Sequence, residues 1–337
     1  MDISADRPLR LGLVAAGRIT GPAAIEPVAE LDDVEITVIG ARDHGRALEA
    51  AERWAIPTAV GSWAEVWEHP DVDAVYIATP AGHHLECTLG ALSAGKHVLC
   101  EKPLAANGAE ARRMVAAGRS AGRVLMEAFH WRYHPMVAQM GSIIDSGDLG
   151  VVTRAEAVFL LPDGHIPRSD IRWDLSIGGG SLMDLGCYPV QWLRWLFGSS
   201  PTVVSASAEC PVPGIDGRIE AELAWPDGST ARLASSMIEP DGLMTSSLTV
   251  IGDRGQMYAR NPLAPQFGAH IDLTVDGATR RLEVDPSATY LHQLRAFVEA
   301  VRTGVDPITS GDDSIDTMDV IDAVYTAAGI GPRPSLG

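Results

Sequence analysis

The rhythm of the first third of the chain most constrains what it can fold into: short, continuous apolar runs alternate with alanine-rich helical stretches. Residues 9–14, 34–41, 74–78, 97–100 and 123–129 read as strands. The stretches up to residue 30 and over 46–54, 84–94 and 108–121 read as helices. A strand that is apolar at every position must be covered on both faces, and such strands separated by helices build a parallel, doubly wound sheet. After about residue 127 the rhythm changes, and residues 151–160, 203–210, 219–225, 230–237, 246–251 and 271–275 read as longer, often alternating strands. The turns Asp227-Gly228, Asp253-Arg254-Gly255 and Asp276-Gly277 between such runs predict tight antiparallel hairpins. One helix is expected at 180–196, and two close the chain at 289–302 and 312–328. The expected fold class is α/β plus α+β, divided into residues 8–127 and 128–330.

Charge then narrows the partners. Acidic residues outnumber basic ones 44 to 26, a formal charge of -18, which disfavours a sequence-independent grip on nucleic acid or an anionic membrane and points to a small-molecule partner. No apolar stretch is long enough to span a bilayer, and residues 1–10 lack the apolar core of a signal peptide, so a cytoplasmic location is expected. Cys87, Cys100, Cys187 and Cys210 have no paired spacing and read as reduced, buried thiols. A P-loop, a Ser-His-Asp spacing and a basic nucleic-acid face are not found in the sequence.

The first strand-turn-helix carries Ala15, Gly17, Arg18, Ile19 and Thr20 where a dinucleotide-binding fold places its glycine-rich phosphate turn. Of the usual three glycines only the central one is present, Gly17, the residue whose missing side chain lets backbone approach a pyrophosphate. Alanine is expected to make the turn with negative dihedrals, weakening cofactor binding without abolishing it. After the second strand comes Arg42, where an acidic residue would accept from a ribose 2′-hydroxyl and an arginine instead pairs with a 2′-phosphate. NADP is therefore expected, with NAD as the alternative.

Glu101-Lys102-Pro103 ends the apolar run 97–100, at the edge where open α/β sheets bind ligands. Much farther on, Gly178-Gly179-Gly180-Ser181 enters a helix carrying Asp184, Tyr188 and Gln191 at a spacing that puts three polar groups on one face.

With these motifs the chain resembles, along nearly its whole length, the superfamily of glucose–fructose oxidoreductase, inositol dehydrogenase and the rhizopine-catabolism oxidoreductases. The matching residues are the Gly17 turn, residues 74–80 with His84, residues 95–104, 127–135 and 178–196, the turn at 250–255, and the closing helices. The resemblance implies an N-terminal Rossmann dinucleotide-binding domain followed by a domain with an open, mostly antiparallel β-sheet. The face of that sheet would be an exposed apolar patch covered by other copies of the chain, in a homodimer or homotetramer. Tyr188 stands where many members have histidine, as in the branch with glucose–fructose oxidoreductase, dihydrodiol dehydrogenases and nucleotide-sugar ketoreductases, which mostly uses NADP. Ala15, Ala16 and Ala81-Gly82 depart from the pattern.

Hydride transfer to or from carbon must be matched by a proton moving on oxygen. Tyr188 can move it if a cation lowers the phenol from its ordinary pKa of about 10, and Lys102 is the candidate cation. Asp184 could accept from a substrate hydroxyl or hold Lys102. Ala15, Gly17, Arg18, Ile19, Arg42, Thr79, Pro80, His84, Glu101 and Lys102 make up the expected cofactor site. Arg132, His134, Arg172, Trp173, Asp184 and Gln191 make up the expected substrate site, with Trp173 either stacking on a sugar ring or packing in the core. His130 and His134 at i, i+4 on a helix could hold a metal, but no matching motif accompanies them and none is expected. The expected activity is NAD(P)-dependent oxidoreduction of a sugar or related polyol. A nucleotide-sugar ketoreductase and a cofactor-sensing regulator without turnover are the alternatives, the retained Lys102, Asp184 and Tyr188 weighing against the regulator.

Overall fold

The computed structural model describes residues 7–240 and 242–336, and the chain falls into two compact units. Of the described residues, the first holds 7–132 together with 290–315, and the second holds 133–240 and 242–289 with 316–335.

In the first unit β1 (Leu9–Val14), α1 (Glu26–Val28), β2 (Val34–Gly40), α2 (His44–Trp54), β3 (Thr58–Val60), α3 (Trp63–Glu68), β4 (Ala74–Ile77), α4 (His84–Ser93), β5 (His97–Cys100), α5 (Gly108–Ala121) and β6 (Leu125–Glu127) follow one another. The strands form one parallel sheet in the order β3-β2-β1-β4-β5-β6. Order reverses between β1 and β4, so the turns after these strands open at a topological switch point. β4 and β5 are buried at every position, as a sheet covered on both faces requires. The helices start where side chains satisfy their orphan amides. Asp43 caps α2, Ser62 caps α3 and Asn107 caps α5, which ends on the left-handed Gly122. Residues 290–315, chiefly α8 (Thr289–Thr303), join this unit; Glu127 N–H donates to the Thr309 carbonyl and Thr309 Oγ1 donates back to that of Glu127.

The second unit is built on α6 (Pro135–Asp145), β7 (Val152–Pro162), α7 (Cys187–Phe197), β8 (Thr202–Glu209), β9 (Arg218–Ala224), β10 (Thr230–Glu239), β11 (Thr245–Gly252), β12 (Gly255–Arg260), β13 (His270–Val275) and β14 (Ala278–Leu282). Its eight strands lie in the order β14-β13-β12-β11-β7-β10-β9-β8, antiparallel throughout except for β7 beside β10. All three expected hairpin turns join neighbouring strands: β9 to β10, β11 to β12, β13 to β14. α9 (Asp312–Ala327) closes the helical part of the chain.

Along β10, Ala231, Leu233 and Ser235 are buried, Ser235 against Gly186 in the turn before α7, so Arg232 projects to the other face. Part of that face is charged rather than the continuous apolar patch expected from sequence. Arg232 pairs with Glu156 of β7 and Glu220 of β9, and Arg218 pairs with Glu220 and Glu239. Near the middle of this face Arg232 meets Glu156 and Glu220 across the strands as opposite pairs, which the register creates and a one-dimensional pattern hides, while Val158, Ala234 and Ser236 on the same face are buried. Among the described residues no helix is long and apolar enough to cross a membrane. All four cysteines are free, and burial pushes the Cys87 thiol up to about 12.

Candidate active site

The turn after β1 departs from its expected geometry. Ala15 has φ 86, in the left-handed region where a Cβ is strained, whereas negative dihedrals were expected. The strain is held in place from both sides: Ala15 N–H donates to the Gly40 carbonyl at 2.9 Å, and Thr20 Oγ1 donates to the Ala15 carbonyl at 3.2 Å. Gly17 is a glycine that the protein's own packing does not demand. A Cβ there would meet only the Ala78 carbonyl oxygen, at an ordinary 3.7 Å, and the residue has no positive φ. A glycine kept where packing does not require one leaves backbone that a phosphate can approach, so the residues present fit a dinucleotide. Arg18 is exposed and Ile19 half-buried.

Four more expected cofactor residues follow other strands of the same sheet at the same edge: Arg42 after β2, Thr79 and Pro80 after β4, Lys102 after β5. Arg42 is exposed, with its guanidinium 5.2 Å from the Trp63 ring centroid.

The Lys102 turn is bolted to the sheet by buried polar groups from three elements. Tyr76 of β4 donates its hydroxyl to Glu101 Oε1 at 2.6 Å, and the other oxygen of that carboxylate accepts from Lys102 N–H at 3.2 Å. Glu127 at the end of β6 is fully buried and accepts from Leu104 N–H at 2.8 Å. His84 is 1% exposed, with Nε2 2.8 Å from the Thr79 carbonyl and Nδ1 3.0 Å from that of Pro103. Expected as a cofactor contact, His84 stands as a strut between the Thr79 and Lys102 turns. Burial lowers its pKa to about 4 against the pull of the carbonyls. The ring is thus neutral near pH 7, with one N–H to give. Lys102 itself is half-buried.

In the second unit the expected helix opens as a widened turn, Leu182–Gly186, and becomes regular only at α7. Its entry is fixed by Asp216, fully buried, which accepts from Ser181 Oγ at 3.0 Å, Leu182 N–H at 2.7 Å, Tyr325 hydroxyl at 3.0 Å and the Arg333 guanidinium. Gly180 lies against this carboxylate with φ 135, and any side chain there would strike Asp216. Its N–H and that of Gly179 bond the carbonyls of Arg172 and Asp174 at 3.0 and 2.9 Å. The triple glycine therefore docks the loop that carries Arg172, whose Nε donates to Asp184 Oδ2 at 2.5 Å while Nη1 donates to Asp170 at 3.0 Å. The two carboxylates raise the Arg172 pKa, so its charge is permanent.

The three polar groups expected on one face have different partners. Asp184 is held by Arg172, and Gln191, 1% exposed, donates to Thr317 Oγ1 at 2.8 Å. Tyr188 is 4% exposed, beside the rings of Phe159 and Trp192. Trp173 is 7% exposed and carries the Arg168 guanidinium 4.0 Å from its ring centroid. His130 and His134 do not share a helix. His130 lies in a short turn, and His134 caps α6, its Nδ1 accepting from Met136 N–H at 3.1 Å and its Nε2 3.1 Å from the Ser287 carbonyl. Pro135 forces that break by holding the residue before it extended. Arg132, half-buried, lies 5.5 Å from the Trp131 ring. Sequence reading missed Tyr76, Asp170, Asp216 and Trp63. Only Tyr76 left a signal, since a phenol inside a fully buried strand needs a partner.

Two expectations follow. Ala15→Gly relieves the left-handed strain and raises the unfolding free energy from urea titration by about 1 kcal/mol; a lower value would contradict the strain. His84, with its pKa depressed from 6.5 to about 4, contributes stability that is complete above 6.5 and lost as pH falls through the window to 4, on the order of 3 kcal/mol. His97 is depressed alike, so His84→Gln makes the pH dependence of the midpoint shallower without flattening it, and an unchanged slope would count against a neutral buried ring.

The model described as the oxidoreductase family with an NAD-binding Rossmann fold matches residues 9–129, and that described as the GFO/IDH/MocA C-terminal domain matches residues 137–258. D-xylose 1-dehydrogenase (NADP(+)) 2 of Haloferax volcanii is 34% identical over 321 residues, covering 94% of this chain and 96% of that enzyme. Among solved structures, KijD10, a 3-ketoreductase from Actinomadura kijaniata in complex with NADP and TDP-benzene, superposes with a TM-score of 0.87 at 28% identity, covering 95% of this chain and 98% of that one. The aldose-aldose oxidoreductase from Caulobacter crescentus complexed with glycerol superposes with a TM-score of 0.87 at 27% identity, over 96% and 98%. Matched by both models and by relatives along nearly its whole length, the chain belongs to the GFO/IDH/MocA oxidoreductase family.

Proposed function

We propose that the protein is an NADP-dependent oxidoreductase that interconverts a hydroxyl and a carbonyl on a sugar or related polyol, with Lys102 and Tyr188 moving the proton. The observation that carries this reading is the seat of Lys102: half-buried at the carboxyl edge of the parallel sheet, in a turn fixed by Tyr76, His84 and Glu127. Such rigidity suits a group that must be positioned before reaction. A bound nicotinamide dinucleotide would supply the hydride acceptor or donor. The protein's own task is then the matching proton on the substrate oxygen. Tyr188 is assigned that transfer, and Lys102 is assigned the charge that favours its phenolate. Asp184, restrained by Arg172, is assigned a hydrogen bond from a substrate hydroxyl. Gly17 would lie against the pyrophosphate and Arg42 against the 2′-phosphate.

The likeness to an NADP-dependent xylose dehydrogenase supports a free aldose as substrate. The likeness to KijD10 supports a second reading, reduction of a nucleotide-linked keto-sugar. Association of copies through the outer sheet face belongs to the same proposal, with the Arg218, Glu220, Arg232 and Glu156 ladder meeting the second copy.

With an aldose, inositol, diol or keto-sugar substrate, Tyr188→Phe and Lys102→Ala are each expected to cut turnover by at least about a hundredfold with circular dichroism unchanged. The lysine change alone is expected also to weaken cofactor binding, and the double variant to be scarcely slower than the poorer single one. Full activity in Tyr188→Phe would remove the phenol from the reaction.

A further inference from the structure

Arg42, Trp63 and His83 come from three separate connections of the first unit, after β2, after β3 and after β4. β2 and β3 end side by side, with Gly40 opposite Val60. The Arg42 guanidinium lies 5.2 Å from the Trp63 ring centroid, and His83 meets the same indole edge-on, centroids 5.1 Å apart at 63°. Trp63 is itself well placed as the first residue of α3. Ser62 caps that helix, accepting from Glu65 N–H at 3.3 Å and donating to Glu65 Oε1 at 2.7 Å, the reciprocal pair that fixes a helix start.

Two features of this cluster are left unused by the fold. In a chain with 44 acidic and 26 basic residues, the exposed Arg42 forms no ion pair or hydrogen bond with any described residue; its only neighbours of note are an aromatic face and a histidine. His83 Nδ1 is buried without a hydrogen-bond partner, the Glu86 carboxylate being 4.0 Å away. Burial and the nearby Arg42 charge both lower the His83 pKa, so the ring adds no competing cation near pH 7.

An exposed arginine loses rotamer freedom when a ligand fixes it. Resting on an indole removes part of that loss beforehand, and a stacked guanidinium keeps its N–H edge outward, the edge that grips a phosphate with two bonds.

We propose that Trp63 is the positioning residue for cofactor choice: its indole, braced by His83, holds Arg42 in the conformation that pairs with the ribose 2′-phosphate of NADP. The inference rests on the NADP reading above and goes beyond it, because it places the discrimination in a residue that carries no charge and touches no phosphate.

The test is calorimetric titration of NADP and of NAD into the wild-type protein and into Arg42→Ala, Trp63→Leu, Trp63→Phe and Arg42→Ala/Trp63→Leu. Trp63→Leu is expected to weaken NADP binding by roughly 3- to 30-fold, the range a cation–π contact spans, and to leave NAD binding within about twofold, which also shows that the domain is folded. Trp63→Phe, which keeps an aromatic face, is expected to retain most of the NADP affinity. In the Arg42→Ala background Trp63→Leu is expected to add nothing, since the two act as one unit. Equal losses for NADP and NAD would assign Trp63 to the adenine or to folding and overturn the proposal. So would a further loss of NADP affinity in the Arg42→Ala background. If Arg42→Ala changes the ratio of the two affinities and Trp63→Leu does not, this inference alone falls. An unchanged ratio in Arg42→Ala takes the NADP reading down with it.

Discussion

A buried carboxylate accepting a backbone N–H is the contact on which the functional turns depend, and both units use it. In the first, Glu127 holds Leu104 N–H at 2.8 Å and so fixes the turn carrying Lys102. In the second, Asp216 holds Leu182 N–H at 2.7 Å and so fixes the entry to the segment carrying Asp184 and Tyr188. Taking a carboxylate out of water costs several kcal/mol unless it is well hydrogen-bonded. A turn that supplies such bonds is therefore tied tightly to its scaffold, because moving it would strand the charge. Arg333 adds a counter-charge to Asp216 from the far end of the sequence. Thus the C-terminal segment bears on the geometry of a helix that begins some hundred and fifty residues earlier.

Strain collects at the cofactor turn. Ala15 carries the one left-handed φ among the non-glycine residues of the sheet's ligand-binding edge, and its amide and carbonyl are both engaged so that it cannot relax. Backbone strain of this kind persists where surrounding structure over-determines it, commonly at functional sites. Gly17, two residues on, has space that the protein does not fill. The turn is thus rigid at its base and open at its tip, an arrangement suited to an anion gripped by backbone amides.

Five of the six strands of the first unit were legible because burial leaves a continuous apolar signature, and β3, only half-buried, was not; His97–Cys100 and Gly108–Ala121 have the limits read from sequence. β14 was not, since Ala-Thr-Arg-Arg-Leu is an exposed edge strand with nothing to alternate, and its Arg281 finds Asp272 only once β13 lies beside it. Helical spacing placed Asp184, Tyr188 and Gln191 together, but the widened turn at Leu182–Gly186 is set by Asp216 and the packing of Gly186 against Ser235, contacts of long range that no local pattern carries. The same holds for the candidate site. Motifs located Lys102, Gly17 and Arg42, whereas the contacts that Tyr76, Glu127 and Trp63 make with those turns become visible only when separate strands are brought to one edge.

The central claim is that hydride passes directly between a sugar carbon and a nicotinamide while the protein handles the proton. Incubating the protein with NADP and an aldose deuterated at the carbinol carbon, then weighing the reduced nicotinamide by mass spectrometry, tests it most directly. The account predicts one deuterium in each NADPH formed, in ordinary water. NADPH without deuterium, or none formed with any aldose, polyol or diol while keto-sugars leave NADPH unoxidised, would contradict it.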